Sequence, residues 1–249
     1  RGNVERINSG GTEIAESDCT ERRNEGEIIG GGEMITYKEI IQGTEAWDRI
    51  RYGKIGGTKS GGLFKDSDAL FYELLAEHTE PFEPNYDVFE NAAMLRGHEL
   101  EPQARYELGQ YVGIEFNEVG WLQCENNPIV GISPDGISEC ETVMCELKCL
   151  GGKKHVEIAL MDGIHKDYLY QLVHYFTVNP KLETLYFAAY RPENQYHSLV
   201  VRTLKRDTIL NVGTEKKMIS FAVSDLVETS QIAALVMKAR IDKAIESMK

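Results

Sequence analysis

Ser133-Pro134-Asp135-Gly136 and, a short span later, Val143-Met144-Cys145-Glu146-Leu147-Lys148-Cys149 set the architecture of this chain. The second segment reads as part of a strand over 142–149, in which successive side chains point to opposite faces. Glu146 and Lys148 therefore share one face, and Cys145, Leu147 and Cys149 share the other. Pro134 and Gly136 bracket Asp135 at a strand end, so 135–136 and 138–141 read as turns. An acid at that bend can meet an acid and an ammonium on the next strand. Two carboxylates that converge without a compensating buried charge form a hard, oxygen-lined site suited to Mg²⁺. A lysine beside them can hold a water or offset charge that builds on a phosphoryl group. On spacing alone, a salt bridge between neighbouring strands satisfies the same pattern.

Outward from this pair, the period-two pattern places strands over 120–124 and 129–133 before it, and over 184–190 and 198–204 after it. A helix is expected over 167–178 and a last one over 225–248. Upstream, a short helix over 44–52 has Trp47, Ile50 and the nearby Ile41 as its apolar side. A second, over 68–78, follows Asp68 as a capping residue and repeats Leu70, Phe71, Leu74 and Leu75. Residues 86–112 read as helix in two pieces broken near Gly97, with Leu100, Ala104, Leu108 and Tyr111 on one stripe. There are no internal repeats. The order gives an α/β (α+β mixed) class, a mixed central sheet flanked by helices.

The chain has 249 residues, 42% of them hydrophobic and 27% charged, which is the composition of a globular protein with a real core. Collagen, coiled-coil rods and a wholly disordered chain are excluded. No apolar run approaches a membrane span, and five cysteines fit a reducing cytoplasm better than a disulfide scaffold. Residues 1–33 lack aromatics, carry eight acids against four bases and end close to Gly30-Gly31-Gly32. They are expected to be a disordered or non-native leader, with Met34 as the native start and 34–249 as one domain. The net charge of −13 argues against a polyanion partner, yet it is segregated. Residues 49–65 hold Arg49, Arg51, Lys54, Lys59 and Lys65 with no acid, whereas 66–101 hold ten acids against Arg96. A local basic lining inside an acidic shell can still hold nucleic acid.

Asp135…Glu146-Leu147-Lys148 resembles the PD-(D/E)XK nuclease motif, and its surroundings resemble the lambda-exonuclease/YqaJ family of phage recombination exonucleases. Gln42-Gly43-Thr44-Glu45-Ala46-Trp47, continuing to Arg51-Tyr52-Gly53-Lys54-Ile55, is similar to that family's "QGT-x-x-W…R-x-G-x-I-T-A-S" block. Gly97-His98-Glu99-Leu100-Glu101-Pro102-Gln103-Ala104-Arg105 resembles its "G-x-x-x-E-x-x-A-R" helix, and Tyr168-Leu169-Tyr170-Gln171 its "Y-x-x-Q" helix. The resemblance implies a restriction-endonuclease-like core. It implies metal ligation by Asp135, Glu146, the Leu147 carbonyl and Glu101, with Mg²⁺ as cofactor and Mn²⁺ as a substitute. Lys148 would orient or help deprotonate the attacking water, and Gln171 would position it. Arg51 would bind a 5′-phosphate, together with Thr58, which stands where the family has a serine. The implied activity is 5′-to-3′ exonuclease on linear double-stranded DNA, releasing mononucleotides and leaving 3′ tails. The implied setting is a phage or prophage gene in a bacterial cell, with a single-strand annealing protein as partner and a homotrimeric ring as assembly. A nuclease of other specificity (an endonuclease or single-strand exonuclease) and a silent DNA-end binder are the rival readings.

Other patterns lead nowhere. The 53–60 stretch lacks the G-x-x-x-x-G-K-[ST] phosphate loop, and its glycines suit a tight turn and a close backbone approach. His98-Glu99 has no second histidine at zinc-protease spacing. Cys124, Cys140, Cys145 and Cys149 lack a tight ligand pair and read as buried structural residues. His165 and His174 read as helix-surface or packing residues, and Tyr168, Tyr170, Tyr175, Tyr186 and Tyr190 mostly as core or sheet-face aromatics.

Overall fold

The computed structural model describes residues 33–65, 67–84, 92–214 and 217–249. The expected leader therefore lies, but for Glu33, outside the described residues, as do 86–91 of the expected third helix. In chain order come strand β1 (Met34–Tyr37), helix α1 (Glu45–Arg51), a 3-10 helix (Ser60–Lys65), α2 (Asp68–Thr79) and α3 (Ala92–Val112). Next are β2 (Trp121–Cys124), β3 (Gly131–Ile132), β4 (Gly136–Ile137) and β5 (Val143–Cys149). Helices α4 (Gly152–Leu160) and α5 (Leu169–Val178) lead to β6 (Thr184–Tyr190) and β7 (Leu199–Leu204). The hairpin β8 (Ile209–Thr214) and β9 (Lys217–Ala222) precedes the last helix, α6 (Val223–Met248). No helix among the described residues is long and apolar enough to cross a membrane.

The main sheet runs β4-β5-β6-β7, with β5 parallel to β6 and the outer pairs antiparallel. Parallel neighbours need a crossover, and α4 and α5 supply it. A smaller antiparallel sheet, β1-β2-β3, runs into the main one through residues 133–135. The alternation of β5 divides the core as its sequence requires. Val143, Cys145 and Leu147 pack with Ala104 and Leu108 of α3 and with Ala188 and Tyr190 of β6. Met144, from the opposite face, joins Leu172, Val173 and Phe176 of α5. Helix α5 is buried from Leu172 to Val178 because α6 covers its far side.

Several expectations change. Ser67, not Asp68, caps α2, its hydroxyl accepting from the Leu70 N–H at 3.2 Å, while Asp68 sits in the first turn where the helix dipole favours an acid. Helix α3 passes through Gly97 and Pro102 without a break, since its tertiary packing, with Ala104 and Leu108 fully buried, outweighs helix-propensity costs of about 1 kcal/mol for the glycine and about 3 kcal/mol for the proline. Tyr111 is 70% exposed, because Val112, one turn beyond Leu108, takes the inward position. Ile41 is also exposed. Gly136 belongs to a strand rather than a turn and pairs with Cys145, whose sulfur would lie 2.7 Å from any Cβ placed there. Of the four cysteines named, Cys145 is buried and the others are half-buried.

His165 and His174 are both buried, so neither is a helix-surface residue. His174 of α5 donates from Nε2 to the carbonyls of Ile55 and Gly131, each at 3.0 Å, and pins two chain segments to the helix. Its Nδ1 is buried without a partner among the described residues. Burial pushes its pKa down to about 4 from 6.5. An unfolded histidine thus takes its proton at higher pH than this one, so the neutral ring's stability is complete above about pH 6.5 and drains as pH falls towards 4. The loss is about 1.4 kcal/mol per pH unit across that window. Thermal melts should show the wild-type Tm falling between pH 6.5 and 4.5, and His174→Gln should flatten that part of the profile. An unchanged slope in the variant would place the acid sensitivity elsewhere.

Candidate active site

The site is built from braces laid around Asp135. The Trp47 indole N–H lies 2.7 Å from the Ser133 hydroxyl and 3.0 Å from the Gly120 carbonyl. The Gln42 amide donates to the carbonyls of Val119 and Pro134 at 2.9 and 3.0 Å. From the far side of the sheet, Arg105 of α3 donates to the Asp135 carbonyl and pairs with Glu118, and it meets Glu101 at 2.8 Å. Held in this way, Asp135 lies at the end of β4 beside Glu146, and its Oδ2 accepts the Leu147 N–H at 2.6 Å. The Leu147 carbonyl points to the same strand edge as its N–H.

Glu146 is only 1% exposed, and its carboxylate is met by three donors. Oε1 accepts from Gln171 Nε2 at 2.7 Å and from the Lys148 ammonium, and Oε2 accepts the Tyr175 hydroxyl at 2.5 Å. Gln171 and Tyr175 are one turn apart on α5, so a single helix face presents both. Gly57 permits the fit: a Cβ there would stand 3.0 Å from Gln171 Cγ.

Charge sets the chemistry of the site. Burial, then the nearby Glu146, holds the Asp135 carboxyl well above the usual aspartate range, against the pull of Lys148. Burial also raises Glu101, opposed by Arg105. For Lys148, burial works downwards, but Glu146 and Asp135 outweigh it and the pKa rises, so the group is an ammonium. An ammonium donates and cannot take a proton. The ammonium also lies 5.7 Å from the Tyr168 ring centroid, within cation–π range.

The donor set fits a hard divalent cation: two carboxylates and a backbone carbonyl, all oxygen, at a strand edge. Among the described residues, no three His, Cys, Asp or Glu side chains gather closely enough to make a cage unaided. Glu101, ion-paired to Arg105, does not complete one. Mg²⁺ suits such a place, because it keeps several waters and takes one or two carboxylates plus substrate phosphates.

A cavity of about 1040 Å³ opens beside this centre, lined by Thr58, Lys65, Lys148, Lys166, Tyr170 and Gln171, among others. Thr58, Lys148 and Gln171 are thus brought together. Arg51 is not part of that lining. It stacks on Trp47 at 3.7 Å, lies 3.9 Å from Asp48, and its pKa is lowered by burial. The basic 49–65 segment is largely neutralised locally, Arg49 by Glu45 and Lys59 by Glu73 and Glu77. The sequence reading gave no role to Tyr175 or Arg105. Tyr175 could have been found from its i+4 spacing to Gln171, and Arg105 from its i+4 spacing to Glu101.

A mixed sheet with acid, acid and lysine at adjoining strand edges, flanked by helices, is the fold of PD-(D/E)XK-type exonucleases. Residues 46–182, more than half of the chain, match the family model of the YqaJ-like viral recombinase domain, and the chain belongs to that family. Its fold is similar to that of an alkaline exonuclease from Laribacter hongkongensis, LHK-Exo, with a TM-score of 0.63 and 22% identity over 82% of this chain and 98% of that one. LHK-Exo in complex with dAMP gives a TM-score of 0.64 and 20% identity over the same shares. A phage related exonuclease from Haemophilus somnus 129PT, at 14% identity over 87% of this chain and 98% of that one, gives 0.42. No curated protein matches the chain.

Proposed function

We propose that this protein is a metal-dependent DNA exonuclease that hydrolyses linear duplex from a 5′ end, releases mononucleotides and leaves 3′ single-stranded tails. The observation that carries this reading is the convergence of Asp135, Glu146 and Lys148, clamped by Gln171, at the edge of a cavity that also holds Lys65 and Lys166. The dAMP held by LHK-Exo is a molecule of the product class proposed here.

Asp135, Glu146 and the Leu147 carbonyl would hold Mg²⁺, or Mn²⁺ in its place, while Glu101 of α3 stays paired to Arg105. When bound, the ion supplies Lewis-acid stabilisation of charge that builds on the scissile phosphate. The residues of the chain do the rest. Gln171 and Tyr175 hold the Glu146 carboxylate in one orientation. The Lys148 ammonium orients the attacking water and donates to the oxygen on which charge develops. Lys65 and Lys166 attract the strand. Thr58 and Arg51 receive the terminal 5′-phosphate, Arg51 as a planar donor suited to bidentate phosphate binding. A single-strand annealing protein would take the 3′ tail, and three copies would close around the duplex in a bacterial cell.

The test is linear duplex labelled separately at its 5′ and 3′ ends, with Mg²⁺ and with EDTA. Metal-dependent release of mononucleotide from the 5′ label is expected. Internal cuts would keep the site and discard the exonuclease, and no cleavage by folded, DNA-binding protein would leave an end binder. Arg51→Ala should lower the rate ratio of 5′-phosphorylated to 5′-hydroxyl ends by about tenfold or more, the worth of a charged hydrogen bond. Equal wild-type rates on both ends would remove the role assigned to Arg51.

A further inference from the structure

The cavity has two chemically distinct sets of lining residues. One is polar and mainly basic, and includes Thr58, Lys65, Lys148 and Lys166 with a single acid, Asp167. The other comes from the β8–β9 hairpin and presents Val212, Ile219 and Phe221. This hairpin lies beyond residue 182, outside the segment that the family model matches. None of the roles assigned above uses it.

The hairpin is seated firmly. The Ile164 N–H donates to the Asn211 carbonyl at 3.0 Å, and Ile164 bridges Val212. A Cβ on Gly163 would stand 2.3 Å from that same carbonyl, and φ there is +139°, so the approach requires glycine. The loop that grips the hairpin is the one that carries Lys166 and Tyr168 into the cavity. Register then sorts the side chains. Leu210 pairs with Phe221 and Val212 with Ile219, so these four share a face. Leu210 and Val212 are buried, but Ile219 remains 49% exposed. Tyr170, also in the lining, is held as a fixed platform by stacking on Phe64 with centroids 4.3 Å apart.

We propose that the β8–β9 hairpin is the wall on which the nucleobases of a single DNA strand rest, with Ile219 and Phe221 as the contact. The proposal rests on the nuclease reading and deepens it. A nucleotide has an apolar base face and an anionic phosphate, and the two linings match these halves. With the bases on the hairpin, the backbone lies towards Lys65 and Lys166 and leads to Lys148. The cavity is at the upper end of the ~300–1,000 Å³ usual for small-molecule sites, which leaves room for more than one nucleotide. Contacts of this kind tolerate any sequence, because every base has a flat π-face.

The test measures binding without catalysis, in EDTA, by fluorescence anisotropy of labelled oligothymidylate and of an abasic strand of equal length. Ile219→Ser should weaken oligothymidylate binding about five- to tenfold and leave the abasic strand unchanged. Ile219→Tyr should retain or improve binding of the base-bearing strand. Ile209→Ser, at a 61% exposed position on the hairpin's other face, should alter neither. Equal losses on both strands, or none, in folded Ile219→Ser overturn the proposal while Mg²⁺-dependent cleavage by wild type leaves the nuclease reading standing. Wild type that binds neither strand and cleaves no duplex overturns both.

Discussion

Lys148→Ala should reduce the single-turnover cleavage rate about 10²–10³-fold, the usual cost of one donor aimed at developing charge, with DNA affinity held within about threefold. The separation follows from where the ammonium lies. It is bonded to Glu146 and lies over Tyr168, at the reacting end of the cavity, while Lys65 and Lys166 remain to attract the strand. Its loss leaves Glu146 with the Gln171 and Tyr175 donors, so the carboxylate stays satisfied and the fold should hold. Rapid-quench rates at saturating protein, read beside anisotropy, make the measurement. A variant that binds weakly but cleaves at the wild-type rate once saturated would make Lys148 a phosphate anchor and nothing more.

Asp135→Asn should abolish cleavage and at the same time raise the melting temperature of metal-free protein. Both effects have one cause. Asp135 and Glu146 place like charges beside each other in a buried setting, an arrangement that raises the Asp135 pKa and costs stability while no cation is bound. Asparagine keeps an oxygen to accept the Leu147 N–H and removes the repulsion. A gain of about 1 kcal/mol corresponds to about 2–4 °C in a chain of this size. Mg²⁺ should raise the wild-type Tm, because a ligand of the native state stabilises it by mass action, and should leave the variant unmoved. An equal Mg²⁺ effect in both proteins would remove Asp135 from the ligands. The exchange of stability for a charged site is the usual signature of function.

How much of this was legible depends on the range of the interaction concerned. The alternation of Glu146-Leu147-Lys148 is local, so both the strand and the faces it separates follow from period two, and α3 packs against the side its cysteines and leucine announce. The helix expected over 167–178 is equally plain and is found over Leu169–Val178, where seven of the ten residues are apolar. Less visible were β1, α4 and the β8–β9 hairpin. The Met34–Tyr37 strand exists through its pairing with Trp121–Cys124, a partner more than eighty residues away, and its own four residues carry little signal. Helix α4 begins Gly152-Lys153-Lys154 and buries just His155 and Ile158, too few apolar positions to show a period. At the site, the acids and the lysine were readable as a motif, whereas Tyr175 was lost among other core tyrosines. Its importance lies in where the hydroxyl points, and that is set by tertiary packing. The spacing of Trp47 marks only the apolar side of a short helix, although its indole N–H braces the segment that leads into Asp135.

The parallel pairing of β5 with β6 also has a kinetic meaning. Asp135, Glu146 and Lys148 come from neighbouring stretches and can meet early in folding. Their clamp, Gln171 and Tyr175, sits in the crossover, which docks only when β6 closes alongside β5, a non-local contact that must overcome loop-closure entropy first. Completion of the centre therefore requires a non-local closure that the segment from Asp135 to Lys148 does not itself supply. A nascent chain that has emerged only as far as Lys148 carries the full acid–acid–lysine signature and still lacks the partners that hold it in register. Competence to cut DNA arrives together with cooperative closure of the sheet.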